Sequence, residues 1–85
     1  MSFKFSKHSL DQINRRNLES SVIEIVINEP DKIVKADDCT NIHQKIVHEK
    51  GKDYLYRVFL NTCKTPHLII TAYKTSKIDK YENKI

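Results

Sequence analysis

In the first third of the chain, apolar residues recur every three or four positions, which is the spacing of a helix with one apolar side. In residues 8–16, Leu10 and Ile13 fall on one side of a helix, and a polar stripe recurs every four residues on another side. Ser6 or Ser9 can cap the start, because a serine oxygen accepts a hydrogen bond from a free backbone N–H of the first turn. The pattern predicts a first helix from about residue 8 to residue 16.

The next segment, "LESSVIEIVINEP", predicts a second helix. Its interior is rich enough in β-branched residues for a strand, but a capping serine (Ser20 or Ser21) precedes it and Pro30 ends it. Asn17 separates the two helices, and asparagine tolerates the left-handed conformation that ends many helices. Two consecutive N-terminal helices are therefore expected.

From residue 31 the apolar residues come in short runs typical of strands. The runs are "KIVKA", "IHQKIVHE", "YLYRVFL" and "HLIITAYK", and turn-like segments separate them. Short turns join antiparallel neighbours, since parallel strands need long crossovers. We expect an α+β fold in which two N-terminal helices pack on one face of a four-stranded antiparallel meander. A single domain is expected over residues 1–85, with residues 74–85 as a peripheral tail.

Composition adds a class of partner to this picture. The chain has 15 Lys and Arg against 11 Asp and Glu, and its pI near 9.1 suits a polyanionic partner. Only Arg15, Arg16 and Arg57 are arginines, whose forked guanidinium suits bidentate phosphate contact. No apolar run approaches the roughly 20 residues of a membrane-spanning helix, and the start lacks an apolar signal region. With two cysteines only, we expect a cytoplasmic protein with reduced thiols and no membrane partner.

The polar stripe of the first helix carries groups that suit phosphate chemistry. Metal-free RNA cleavage needs a base for the 2′-hydroxyl proton, an acid for the leaving oxygen and a cation for the charge that develops on phosphorus. A histidine can play either proton-transfer role, and an arginine offers fixed donors to the developing charge. His8, Arg16 and Arg57 together are sufficient for this reaction. A surface role for His8 without chemistry remains the alternative.

Arg57 stands in the middle of the apolar run "YLYRVFL". A charge at such a position is costly unless it is paired or faces a wet groove. The structural alternative to phosphate binding is a salt bridge to Asp11, Glu24 or Asp53. Tyr73, in the last strand, either stacks on a base or hydrogen-bonds a phosphate, or is simply a core aromatic.

Two cysteines and two histidines form a second candidate site, for a metal ion. Cys39-x-x-x-His43 and Cys63-x-x-x-His67 repeat one spacing, at turns that a meander places at the same end of the sheet. Four such ligands suit a tetrahedral zinc ion, but the spacing is not that of a standard zinc finger. We expect neither a metal site nor a disulfide between the two cysteines.

The order of "KHSLDQINRRNLESSVIEIVINEPDKIV", then a strand carrying Arg57, then "IITAYKTSK" with a Thr-x-Tyr motif, resembles the bacterial proteins grouped as domain of unknown function family 4258. The resemblance covers about residues 6–77. It implies a RelE/barnase-like fold, near the RelE-like and BrnT-like toxins. The implied function is a metal-independent RNA endonuclease, the toxin of a toxin–antitoxin system. RNA and a protein antitoxin are the implied partners, no cofactor is implied, and the oligomeric state stays open.

The resemblance also assigns roles by position. The residues carried over as catalytic are His8, Arg16, Arg57, Thr71 and Tyr73. From residue chemistry rather than from the resemblance, the residues expected to contact RNA are Gln12, Arg15, Lys45 and Lys74, with a solvated surface position as the alternative for the two lysines. The chain departs from the family at Gln12, where members often have arginine, and at Asn17, where glycine is usual. The change at Gln12 slightly favours the alternative function, a catalytically inactive RNA- or protein-binding module on the same fold.

Overall fold

The computed structural model describes residues 3–84 of the chain, and the side chains of residues 3–81. The elements in chain order are β1 (Phe3–Phe5), α1 (Lys7–Arg15), α2 (Ser20–Asn28), β2 (Lys32–Asp37), β3 (Thr40–Glu49), β4 (Lys52–Asn61), β5 (His67–Thr75) and a C-terminal 3₁₀ helix (Ile78–Lys84). The strands form one sheet in the order β1-β5-β4-β3-β2. The predicted α+β class, with two helices before the main strands, is confirmed.

The sheet differs from the prediction in having five strands and mixed pairing. The additional strand, β1, pairs parallel to β5, with Phe3 beside His67 and Phe5 beside Ile69. β2 to β5 form the antiparallel meander that was expected. Three residues are too short to show a strand pattern of their own, so β1 is visible only through the hydrogen bonds that the edge of β5 provides.

The two helices begin in different ways. Ser6 is the N-cap of α1, since its hydroxyl accepts from the backbone N–H of Ser9 at 3.0 Å. The N-cap of α2 is Glu19, which makes no side-chain cap hydrogen bond. The prediction of a serine cap for the second helix is therefore wrong, because Ser20 already lies inside the helix. Asn17, between the helices, has the expected left-handed backbone, with φ of 54°.

The core lies between the two helices and one face of the sheet. Its fully or nearly fully buried members are Ile13, Leu18, Ile23, Val26, Ile27, Tyr56, Val58, Leu60, Ile69 and Ala72. Truncating one of the buried isoleucines or leucines to alanine costs on the order of 2–5 kcal/mol of stability. We call the other side of the sheet, opposite this core, the outer face.

A β-bulge in β5 decides which side chains reach the outer face. Phe59 of β4 pairs with Thr71, and the next residue, Leu60, pairs with Ile69, so Ile70 is an extra residue. One extra residue reverses the alternation of side chains along a strand. Ile69 therefore packs in the core, whereas Thr71 lies on the outer face although it is only two residues away.

Cys39 and Cys63 form a disulfide between the β2–β3 turn and the β4–β5 loop, with their Cα atoms 5.1 Å apart. The expectation of two free thiols is wrong, and the cysteine count gives no support to the predicted cytoplasmic location. The bond also takes both cysteines from the alternative zinc site. His43 lies in β3, four residues beyond Cys39, and is buried in the core, where its Nδ1 donates to the Ile27 carbonyl at 2.9 Å. Among the described residues, no group of three or more potential metal ligands occurs.

Within the described part of the chain, no helix combines the length and the apolar character needed to cross a membrane.

Candidate functional site

Helix α1 lies along the edge of β5 that β1 leaves open. β1 pairs only with residues 67–69 of β5, so the following carbonyl groups need other partners. Nη1 of Arg16 donates to the carbonyl oxygen of Ala72 at 2.6 Å. The guanidinium thus joins the end of α1 to the strand and brings the polar stripe of the helix beside Thr71.

Gln12 is the centre of a hydrogen-bonded group on this edge. Its Oε1 accepts from Nη1 of Arg16 at 3.1 Å and from the hydroxyl of Thr71. A guanidinium has no acceptor, so the amide oxygen must face Arg16 and the amide nitrogen must face His8. The nitrogen lies 2.9 Å from Nε2 of His8, which therefore accepts and carries its ring proton on Nδ1. We call these four residues, His8, Gln12, Arg16 and Thr71, the edge group.

Arg57 forms a second group on the outer face. Its side chain is enclosed, with 7% of the residue exposed. Nε donates to Oε1 of Gln44 at 2.7 Å, and Nη1 donates to the hydroxyl of Tyr73 at 2.6 Å. The guanidinium carbon lies 4.7 Å from the ring centre of Tyr81, 5.5 Å from that of Phe59 and 5.8 Å from that of Tyr73. We call this arrangement the arginine cage.

No carboxylate pairs with Arg57 among the side chains that the structure describes. Asp53, one of the three acids considered as partners, instead accepts from Nδ1 of His48 at 2.7 Å. A buried charge without a counterion is costly, and aromatic rings offset only part of that cost. The charge of Arg57 is therefore well placed for an anionic ligand.

The two tyrosines of the cage have shifted pKa values. Burial raises the pKa of Tyr73, its hydrogen bond with Tyr81 adds to the rise, and the hydrogen bond from Arg57 opposes it. The hydrogen bond with Tyr73 lowers the pKa of Tyr81, and the charges of Lys80 and Arg57 act in the same direction. The two hydroxyl oxygens are 3.4 Å apart. Tyr73 therefore keeps its proton at neutral pH and can act as a hydrogen-bond donor.

The edge group and the arginine cage adjoin along β5. Thr71 belongs to the first and Tyr73 to the second, and the pairing of Arg57 with Tyr73 places both tyrosine and threonine on the outer face. Residues two apart on a strand are separated by about 7 Å. His8 and Arg57 are not hydrogen-bonded to each other. Hydrogen bonds link His8 to Gln12 and Gln12 to Thr71, the backbone of β5 leads from Thr71 to Tyr73, and Tyr73 accepts from Arg57.

Three of the residues expected to contact RNA lie outside both groups. Arg15 is exposed on α1. Lys45 and Lys74 flank Tyr56 in the sheet and so point to the side of the helices. Nζ of Lys45 donates to the Glu29 carbonyl at 2.8 Å, and Lys74 pairs with the carboxylate of Glu49.

Tyr81 and Gln44 were not among the predicted site residues. Tyr81 is in the polar segment that was expected to be peripheral, and it is the aromatic residue of that segment. Gln44 interrupts the apolar residues of β3 that share its face, Ile42 and Ile46, and it pairs directly with Arg57. A polar residue opposite a buried arginine was a usable signal, but only once the strand register is known.

No curated protein and no solved structure matches the chain. One family model, described as a domain of unknown function (DUF4258), matches residues 5–74. That range contains the whole edge group and, of the arginine cage, every member except Tyr81. The protein therefore belongs to the family DUF4258, a domain of unknown function.

Proposed function

We propose that the protein is a metal-independent RNA endonuclease with a RelE/barnase-like fold. The observation that carries the proposal is the buried charge of Arg57, which has no carboxylate partner among the described side chains and adjoins a histidine-containing edge group. Phosphate is the anion that such a guanidinium binds well, and RNA supplies both the phosphate and the nucleophile.

The proposed reaction uses four residues, His8, Arg16, Arg57 and Tyr73, in one sequence of bond changes. His8 exchanges its hydrogen bond with Gln12 for the 2′-hydroxyl of the substrate and takes the proton on Nε2. The 2′-oxygen then forms a bond to the adjacent phosphorus, and the bond from phosphorus to the 5′-oxygen breaks. Tyr73 donates its phenolic proton to the leaving oxygen, while Arg16 and Arg57 stabilise the extra negative charge. The products are a 2′,3′-cyclic phosphate and a 5′-hydroxyl.

Thr71 and Tyr81 set access to this centre. The hydroxyl of Thr71 holds Gln12 and lies between the two groups, where it orients the sugar. Tyr81 covers the guanidinium of Arg57, so a phosphate reaches Arg57 when the C-terminal 3₁₀ helix gives way. A base of the substrate then takes the stacking position that Tyr81 leaves.

The proposal extends to the biological setting implied by the resemblance to RelE-like toxins. The protein would act in the cytoplasm as the toxin of a toxin–antitoxin system. Its antitoxin would be a protein that covers the edge group and the arginine cage and so excludes RNA.

A second candidate function is RNA binding without cleavage. Nε2 of His8 is engaged by Gln12, and a histidine that keeps this bond cannot remove a proton. Binding would then depend on Arg16 and Arg57, and substitution of His8 would have no effect on the RNA.

The experiment that separates the two functions is an RNA cleavage assay in the presence of a chelator. The intact chain should cut a labelled single-stranded RNA, and His8→Ala should abolish cleavage while it retains binding. His48→Ala is the matched control, since His48 is an exposed histidine on β3 that binds Asp53, and it should cut like the intact chain. RNA that stays intact but bound supports the second function, and RNA that is neither cut nor bound excludes both.

A further inference from the structure

A cavity of about 270 Å³ opens between β1 and the loop that joins β4 to β5. Its walls come from Lys4 of β1, from Lys64, Thr65 and Pro66 of the loop, and from Leu68 at the start of β5. None of these residues belongs to the edge group or to the arginine cage.

The cavity opens on the same side of the sheet as the arginine cage. Lys4 pairs with Leu68, so the two side chains share a face. Ile69 packs in the core, and its neighbour Leu68 therefore points to the outer face. About 10 Å of extended chain separates Leu68 from Thr71, and about 16 Å separates Leu68 from Tyr73, the partner of Arg57 in the sheet. A nucleic acid strand that follows the outer side of β5 thus passes from one site to the other.

The cavity carries two cations and no carboxylate. Lys4 and Lys64 are both exposed, and in the described part of the chain neither forms an ion pair. Lys45 and Lys74 differ from them in this respect, because Lys45 pairs with Asp31 and Lys74 pairs with Glu49. Two unpaired ammonium groups around one cavity favour an anion, and Leu68 beside them offers an apolar wall.

The backbone that precedes Lys64 is held by several contacts. The preceding residue, Cys63, is bonded to Cys39, and its backbone N–H donates to the side chain of Asn61 at 3.0 Å. The backbone N–H of Thr62 donates to the Cys39 carbonyl at 2.8 Å. A loop that is held in this way loses little freedom when it binds a ligand.

We propose that this cavity is a second subsite for the RNA, in which Lys4 and Lys64 bind a backbone phosphate further along the same strand than the phosphate at Arg57. The inference rests on the proposed function, because it takes RNA as the ligand of the outer face. Leu68 and Pro66 contact the adjoining base. The subsite makes the enzyme bind longer RNA more tightly than a dinucleotide that spans only the cleaved phosphodiester bond.

The test measures binding of uncleavable 2′-O-methyl RNA by fluorescence anisotropy, with an octanucleotide and a dinucleotide. The variant is Lys4→Ala with Lys64→Ala. The matched control is Lys32→Ala with Lys35→Ala, which removes the same charge from exposed positions on β2, at the opposite edge of the sheet. Circular dichroism confirms that both variants are folded.

The proposal predicts that the first variant binds the octanucleotide several-fold more weakly and the dinucleotide with unchanged affinity. The dependence of log affinity on log salt should fall by about 0.7, the contribution of one neutralised phosphate on a single strand. The control variant should change both affinities only slightly.

Three other outcomes would contradict the proposed subsite. If both variants weaken octanucleotide binding equally, only net charge matters and the subsite does not exist. If inorganic phosphate shifts the NMR signals of Thr65 and Leu68 while the Lys4/Lys64 variant binds RNA normally, the cavity is a site for free phosphate. If the intact chain binds neither oligonucleotide, the proposed function fails and the subsite fails with it.

Discussion

At the scale of single residues, Gln12 has the most informative environment. From the resemblance alone, Gln12 was expected to stand in place of a cation. The structure instead makes it the acceptor for Arg16 and Thr71 and the partner of His8. An amide does this because it combines a donor and an acceptor in one side chain, whereas arginine only donates.

Gln12→Ala should therefore lower kcat without much effect on KM. The substitution leaves the charges of Arg16 and Arg57 in place but frees the His8 ring, and misplacement of a reacting group by about 1 Å can cost on the order of 10²-fold in rate. Steady-state RNA cleavage measures both constants. Asn14→Ala, an exposed change on the same helix, should behave like the intact chain. An equal loss in the two variants would show that Gln12 acts only through helix stability.

His43 makes a second residue-level prediction, on stability. It is 1% exposed, its Nδ1 donates to the Ile27 carbonyl at 2.9 Å, and its Nε2 has no partner within the described chain. Burial lowers the pKa of His43 below 6.5, the hydrogen bond to the Ile27 carbonyl opposes this shift, and the charge of His67 acts in the same direction as burial. The unfolded chain then binds the proton more readily than the folded chain. The neutral His43 ring therefore contributes fully to the free energy of unfolding above pH 6.5, and this contribution falls as the pH drops toward the lowered pKa.

Urea unfolding at about pH 8 and about pH 5 measures this loss. His43→Gln should remove part of the difference between the two pH values, whatever its effect on stability at neutral pH. His48→Gln, at an exposed histidine, should keep the difference. A His43→Gln protein with an unchanged pH dependence would show that burial does not depress the pKa of this ring.

At the scale of elements, β5 organises the site. Its bulge turns Thr71 to the outer face, its open edge receives Arg16, and Tyr73 two residues later receives a hydrogen bond from Arg57. The flanking elements hold the ends of this arrangement. The disulfide fixes the loop before β5, and the C-terminal 3₁₀ helix places Tyr81 over Arg57.

Removal of the disulfide should destabilise the protein. The bridged cysteines are 24 residues apart in sequence, and closing a loop of that size is worth about 3 kcal/mol through the unfolded state. Cys39→Ser with Cys63→Ser should lose about this much in urea unfolding, and the intact chain should lose as much when a reductant is added. Identical unfolding of the oxidised and reduced chains would contradict the prediction.

Tyr81→Ala should open the arginine cage. The variant loses one stacked ring on Arg57, so we expect a lower melting temperature together with several-fold tighter binding of single-stranded RNA. Tyr54→Ala is a suitable control, because Tyr54 is also a half-buried tyrosine but stacks on Lys74 rather than on Arg57. Weaker RNA binding by Tyr81→Ala would mean that the ring belongs to the binding surface and does not compete with substrate.

At the scale of the whole molecule, local patterns predicted the two helices and the four-stranded meander. Those elements are long enough to show their own period and end signals. β1 and the bulge at Ile70 were not predictable, because both depend on pairing with a distant strand. The polar stripe on α1 followed from helical spacing alone, whereas the contact of Tyr81 with Arg57 joins two elements whose relative position no local pattern specifies.

The disulfide was also missed because it joins two segments that are distant in sequence. The spacing of turns already places Cys39 and Cys63 at one end of the sheet, although the low cysteine content is typical of proteins with free thiols. Geometry at the turns was the better guide, since two Cα atoms 5.1 Å apart are within bonding range for cysteines.

The central claim is that the edge group and the arginine cage together cleave RNA through the 2′-hydroxyl. The most direct test is to identify the ends of the RNA fragments that the purified chain produces in a chelator. The account predicts a 2′,3′-cyclic phosphate and a 5′-hydroxyl, both absent with His8→Ala. Fragments that end in a 3′-hydroxyl, or cleavage that persists in His8→Ala, would contradict it.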